Sequence, residues 1–132
     1  MTQYKTYKPE GISDPYGTYV HGIEPPVGSR MVFVSGQIPV AFDGTVPETM
    51  EGQATVCWQN IEATLKAAGL GIENIVRTTQ YLTDASMYPE ANAVRAKMLG
   101  THRTASVSIT VPALIEPTWL IEIDAIAAAP AE

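Results

Sequence analysis

The chain has one cysteine, Cys57, so no internal disulfide is available and a reducing compartment is the natural setting. Positive charge is scarce as well. Eight Lys and Arg against fourteen Asp and Glu leave a formal charge of −6. The basic residues are scattered, which argues against the positively charged face that a nucleic-acid surface needs. Nowhere do about eighteen apolar residues run together, which excludes a membrane-spanning helix. The opening Met1-Thr2-Gln3-Tyr4-Lys5 lacks an apolar segment of the secretory-signal type, so a cytoplasmic setting is expected. His21 and His102 lie far apart with no third ligand at useful spacing, and a metal centre is not expected. No GxxxxGK phosphate loop, G-x-S-x-G elbow or internal repeat occurs.

What the chain does have is the material of one domain. It holds 132 residues, 45% hydrophobic and 17% charged, enough to build a core and too few for two. Short strand signals at 4–7 and 18–23 precede the stronger run Met31-Val32-Phe33-Val34-Ser35, rich in β-branched and aromatic residues. Ala54, Cys57, Ile61, Leu65 and Ala68 recur every three or four residues, which predicts a helix from Met50 to Ala68 ended by Gly69. Residues 75–82 read as a strand. A second helix is expected from Ser86 as N-cap, with Pro89 in its first turn and Met87, Ala91, Val94 and Met98 on its buried face. Strands at 103–111 and 119–127 close the chain. The order β-β-β-α-β-α-β-β describes an α+β sandwich with both helices on one sheet face. Strands apolar on both sides leave the other face to be covered, and a second copy of the chain is the expected cover.

Two charged residues stand out among those last strands. Arg103 opens an alternating run, and Glu122 interrupts the apolar stretch Trp119-Leu120-Ile121-Glu122-Ile123. A carboxylate in a buried strand needs a partner or a task, because desolvating it alone costs several kcal/mol or more. A nearby guanidinium would pair with it and would also offer a planar fork to a substrate carboxylate. A purely structural ion pair between the two is the competing reading.

The segments Gly17-Thr18-Tyr19, Ser35-Gly36-Gln37-Ile38-Pro39, Asn60, Ala67-Ala68-Gly69, Tyr81-Leu82-Thr83-Asp84, Asn92, Arg103 and the run Ile121 to Ala127 resemble, in order, the RidA family of reactive intermediate deaminases, also called YjgF-type or L-PSP-type proteins. The resemblance implies a chorismate-mutase-like α+β fold, assembled as a homotrimer with clefts between subunits. It implies hydrolysis of small 2-imino or 2-enamino acids of the 2-aminoacrylate type to 2-oxo acids and ammonia, with no metal or organic cofactor. Arg103 matches the family arginine that clamps the substrate carboxylate. Glu122 matches a glutamate that assists water or returns a proton to nitrogen. Tyr19 matches a tyrosine lining the cleft, while Ser35 could donate to a ligand or cap a turn. Asn92, on the second helix, fixes the loop before Arg103 or touches substrate.

The chain departs from the family pattern around that cleft. Thr101-His102 stand where Pro-Ala is usual, Ala105 replaces a common cysteine, and Val94-Arg95 occupy positions where an aromatic is common. The loop from Pro112 to Thr118 is longer and brings in Glu116. A second reading therefore stands beside the deaminase: a non-catalytic trimeric module that binds a carboxylate metabolite in the same pocket. A ribonuclease fits badly with an acidic chain lacking a His pair.

Overall fold

The computed structural model describes residues 4–131; residues 1–3, which open the N-terminal segment read above, and 132, at the end of the Ala/Pro tail, lie outside it. The elements follow the expected order. β1 (Lys5–Tyr7) pairs with β2 (Gly22–Glu24) as a small antiparallel ribbon. β3 (Arg30–Gln37), β4 (Ile75–Leu82), β5 (Ala105–Thr110) and β6 (Ile121–Ala129) form a four-stranded sheet in the order β3-β6-β4-β5. β4 and β5 run parallel, and the other two pairings are antiparallel, so the sheet is mixed.

Helix α1 (Met50–Ala67) begins at Thr49, whose hydroxyl accepts the Gly52 N–H, one of the donors a helix start leaves unpaired. It ends where Gly69 takes φ +76, a conformation that glycine adopts without strain. Ala54, Cys57, Ile61 and Leu65 are all fully buried, as their spacing requires. They meet Val34 of β3 and Ile121, Ile123 and Ala125 of β6 in one core cluster. Burial of each large side chain there contributes about 1.5–3 kcal/mol. Helix α2 (Tyr88–Leu99) lies beside α1 and adds Ala91, Val94 and Leu99 to that core. Both helices therefore sit on one face of the sheet.

The start of α2 differs from the sequence reading. Ser86 does not cap the helix. Its N–H donates to Asp84, which caps a single 3-10 turn (Ala85–Met87) ahead of α2. The strand expected at 18–23 is shorter and later, because residues before Gly22 run as loop along the start of β5.

A larger difference concerns the last two strands, which are consecutive in sequence and yet not neighbours. β4 lies between β5 and β6. The connection after β5 must reach across a strand, and a buried amide secures its far end. Gln53 of α1 donates to the Pro47 and Thr118 carbonyls, both at 2.9 Å, and accepts the Leu120 N–H at 2.7 Å. One side chain thus satisfies three backbone groups of two irregular segments, groups that would cost free energy if left unpaired.

Candidate functional site

Arg103 precedes β5 and is half-buried. Its Nη1 donates to the Gly100 and His102 carbonyls at 2.9 and 3.1 Å, contacts made within its own turn. These bonds fix the guanidinium while leaving Nη2 and Nε without hydrogen bonds among the described residues. No carboxylate pairs with it there; the single ion pair among those residues is Lys8–Asp14 on the surface. Arg103 borders an open cavity of about 460 Å³ shared with Tyr4, Val20, Glu73 and His102. A rigid cationic fork with one free edge, facing a cavity, has the geometry that receives a carboxylate.

Glu122 is built from the opposite direction. Alternation along β6 sends Ile121, Ile123 and Ala125 into the core and turns Glu122 and Asp124 to the helix-free face. Tyr81 on β4 lies opposite Glu122, and its hydroxyl donates to Asp124 at 2.9 Å. That hydrogen bond, helped by burial and the negative charge, raises the phenol pKa. On the other side the register of β3 slips between Val34 and Gln37, a bulge that carries Ser35 and Gly36. A Cβ on Gly36 would sit 2.2 Å from the Glu122 carboxylate oxygen, so only glycine leaves that oxygen its place. Asn60 of α1 holds the following segment, donating to the Ile38 and Val40 carbonyls at 3.2 Å each. Ser35 itself is exposed beside this group.

Arg103 and Glu122 do not meet within one chain. Glu122 is opposite Tyr81, and Tyr81 is opposite Ile109 of β5. From Arg103 to Ile109 the chain advances roughly 20 Å at about 3.3 Å per residue, and β4 adds a further strand spacing. The expectation of a pair on neighbouring strands is therefore corrected: the two groups occupy opposite ends of the sheet. Parallel pairing of β4 with β5 causes this, since it places the start of β5 beside the start of β4, whereas antiparallel β6 begins at the other end.

Tyr19 and Asn92 fall together elsewhere. Both line a cavity of about 580 Å³ with Tyr16, Tyr88 and Arg95. Val20 N–H donates to the Thr104 carbonyl at 3.0 Å and so puts Tyr19 and Val20 at two different cavities. The sequence reading assigned Arg95 no role, although an arginine four residues after Ala91 on an apolar stripe was the available signal. Cys57 is buried, as expected of a small hydrophobe, and desolvation with the nearby Glu122 charge pushes its thiol up to about 12.

Comparison with known proteins gives a consistent result. The family model described as Endoribonuclease L-PSP matches residues 11–129. The chain is 35% identical over 126 residues to the 2-iminobutanoate/2-iminopropanoate deaminase of Salmonella typhimurium, covering 93% of this chain and 96% of that protein. Among solved structures, E. coli TdcF with bound serine superposes with a TM-score of 0.72 at 31% identity, over 95% of this chain and 98% of that one. The YjgF gene product of E. coli superposes with a TM-score of 0.71 at 34% identity, over 93% and 97% of the two chains.

Proposed function

The chain belongs to the RidA family, the YjgF-type or endoribonuclease L-PSP proteins, and from that premise we propose that it is a hydrolytic deaminase of small 2-imino acids. In this reading the 132-residue chain is a single RidA-like domain working as a homotrimer in the cytoplasm. The observation that carries the reading is the guanidinium of Arg103, held by two carbonyls of its own turn, free along one edge and beside a cavity.

The substrate carboxylate takes that free edge through two parallel charge-assisted hydrogen bonds, which fix the adjacent C=N bond before attack. Water oxygen adds to the imine carbon as the C=N electrons pass to nitrogen, which takes up a proton. Glu122 accepts a proton from the water and returns it to nitrogen. The hydroxyl proton of the resulting carbinolamine passes to the amino nitrogen, the C–N bond breaks and ammonia leaves as the C–O bond becomes the carbonyl of a 2-oxo acid. Because Glu122 lies roughly 20 Å from Arg103 along the sheet of its own chain, it reaches the substrate from a second copy. Ser35, beside Glu122 on the bulged strand, adds a donor to that half of the site, whereas Tyr19 lines the neighbouring cavity. The bound serine of TdcF supports a small carboxylate ligand.

An amino-acid oxidase that generates 2-imino acids in the presence of semicarbazide provides the test. Added protein should accelerate loss of the trappable imine. Arg103→Ala should lower kcat/KM by about 30- to 1000-fold, corresponding to roughly 2–4 kcal/mol of transition-state binding. Carboxylate binding without ammonia release would show the binding-module alternative to be correct, and an effect that survives Arg103→Ala would remove the clamp.

A further inference from the structure

The connection after β5 places apolar side chains beside Glu122, and the chemistry described so far gives them no task. Ala113, Leu114 and Ile115 line an open cavity of about 370 Å³ that they share with Tyr81, Glu122 and Asp124. The loop that carries them is tethered at both ends. Val111 N–H donates to the Leu82 carbonyl at 2.8 Å, Trp119 N–H donates to the Glu116 carbonyl at 3.1 Å, and the Gln53 amide holds the Thr118 carbonyl at 2.9 Å. Ile115 nevertheless stays 85% exposed, and Leu114 is only half-buried. Neither belongs to the core cluster. Apolar side chains presented to a cavity by a fixed loop, with no share in the core, favour an apolar group that enters the cavity.

We infer that this loop is the side-chain subsite of the proposed deaminase, and that it selects 2-imino acids with a bulky apolar side chain, of the kind leucine gives, over those with a methyl group. The inference rests on the deaminase reading, which brings the reacting carbon to Glu122. Among the described residues no Lys, Arg or His lines this cavity, while Glu122 and Asp124 supply negative charge. A second carboxylate on the substrate is repelled here. A polar side chain gives up water for Ala113, Leu114 and Ile115 and gains no partner from them. Tyr81 does not compensate, because its one donor hydrogen already goes to Asp124 at 2.9 Å. An apolar side chain meets neither cost. The space is at the low end of cavities that hold small organic ligands, and it is more than a methyl group fills.

An amino-acid oxidase acting on leucine and on alanine supplies the two imines, and semicarbazone trapping gives each rate relative to that without protein. In the wild type, kcat/KM for the leucine-derived imine should exceed that for the alanine-derived imine by at least about tenfold. Ile115→Ser should lower that ratio about tenfold, mainly as a rise in KM for the larger imine, and Ile115→Leu should keep it. Because Ile115 is exposed, the urea midpoint and the sedimentation of Ile115→Ser should match the wild type. A wild-type ratio near one, or a leucine preference that survives Ile115→Ser, overturns the subsite while the deaminase reading stands. If neither imine is accelerated, the deaminase reading fails and the subsite fails with it. If Ile115→Ser sediments as a smaller species, the loop packs against another copy of the chain, and the subsite is overturned equally.

Discussion

The glutamate owes its position to the residue it lacks beside it. Gly36 leaves room for the Glu122 carboxylate, and the nearest atom a new Cβ would strike is the far end of that flexible side chain. Gly36→Ala is therefore expected to displace the carboxylate rather than to unfold the chain. Imine turnover should fall by roughly 100-fold, the size of effect that an ångström of misplacement produces. Unfolding free energy in urea should change by less than about 1 kcal/mol. A large loss of stability with unchanged turnover would show that the contact is packing alone. Cys57 gives a second test at this scale. Its folded pKa, about 12, is above the ordinary value of 9.0, so the fold favours the neutral thiol. This contribution is fully present below the unfolded pKa and is lost as pH rises from about 9 towards 12, because the unfolded chain then gives up a proton that the folded chain keeps. The slope should approach about 1.4 kcal/mol per pH unit. Chemical unfolding between pH 8.5 and 10.5 should show this decline in the wild type and a shallower one in Cys57→Ala.

Among the elements, α1 was legible almost to the residue and α2 less so. The stripe Ala54, Cys57, Ile61 and Leu65 of α1 is apolar, and Gly69 marks its end, so periodicity and cap chemistry agree. The stripe of α2 contains Arg95 at a fully buried position, where its spacing from Ala91 places it inside although its charge would assign it to solvent. Its start is misplaced by the same kind of error: Ser86 and Asp84 both have capping chemistry, and only Asp84 uses it. The order of the strands was legible, whereas their neighbours were not. Nothing local in residues 103–127 announces that β4 inserts between β5 and β6, and this choice separates Arg103 from Glu122. The long connection between these strands depends on Gln53, whose three hydrogen bonds are invisible in sequence because each partner is a backbone group. Gln53→Leu keeps the volume and orphans two carbonyls and one N–H. It should lower unfolding free energy by about 2–4 kcal/mol, read as a reduced urea midpoint with an unchanged slope. A midpoint at the wild-type value would mean that the loop is held by other means.

For the molecule as a whole, the helix-free face of the sheet sets the question. β3 turns Met31 and Phe33 to that side, and Phe33 is 73% exposed. An apolar face of this kind on a chain of net charge −6 calls for a partner surface, and the proposed function puts a second copy there to bring Glu122 to Arg103. Phe33→Glu should shift sedimentation towards the monomer and abolish imine turnover together, since the proposed site exists only between copies. A monomeric variant with full activity would contradict that coupling. The central claim is a site divided between two chains, and complementation measures it most directly. Arg103→Ala and Glu122→Gln, each inactive alone, are unfolded together, refolded as a mixture and assayed by semicarbazone trapping. Random assembly gives about a quarter of the sites an intact Arg103 from one copy and an intact Glu122 from another, so about a quarter of wild-type activity should return. If the mixed assemblies form and no activity returns, the two residues do not serve one site across an interface.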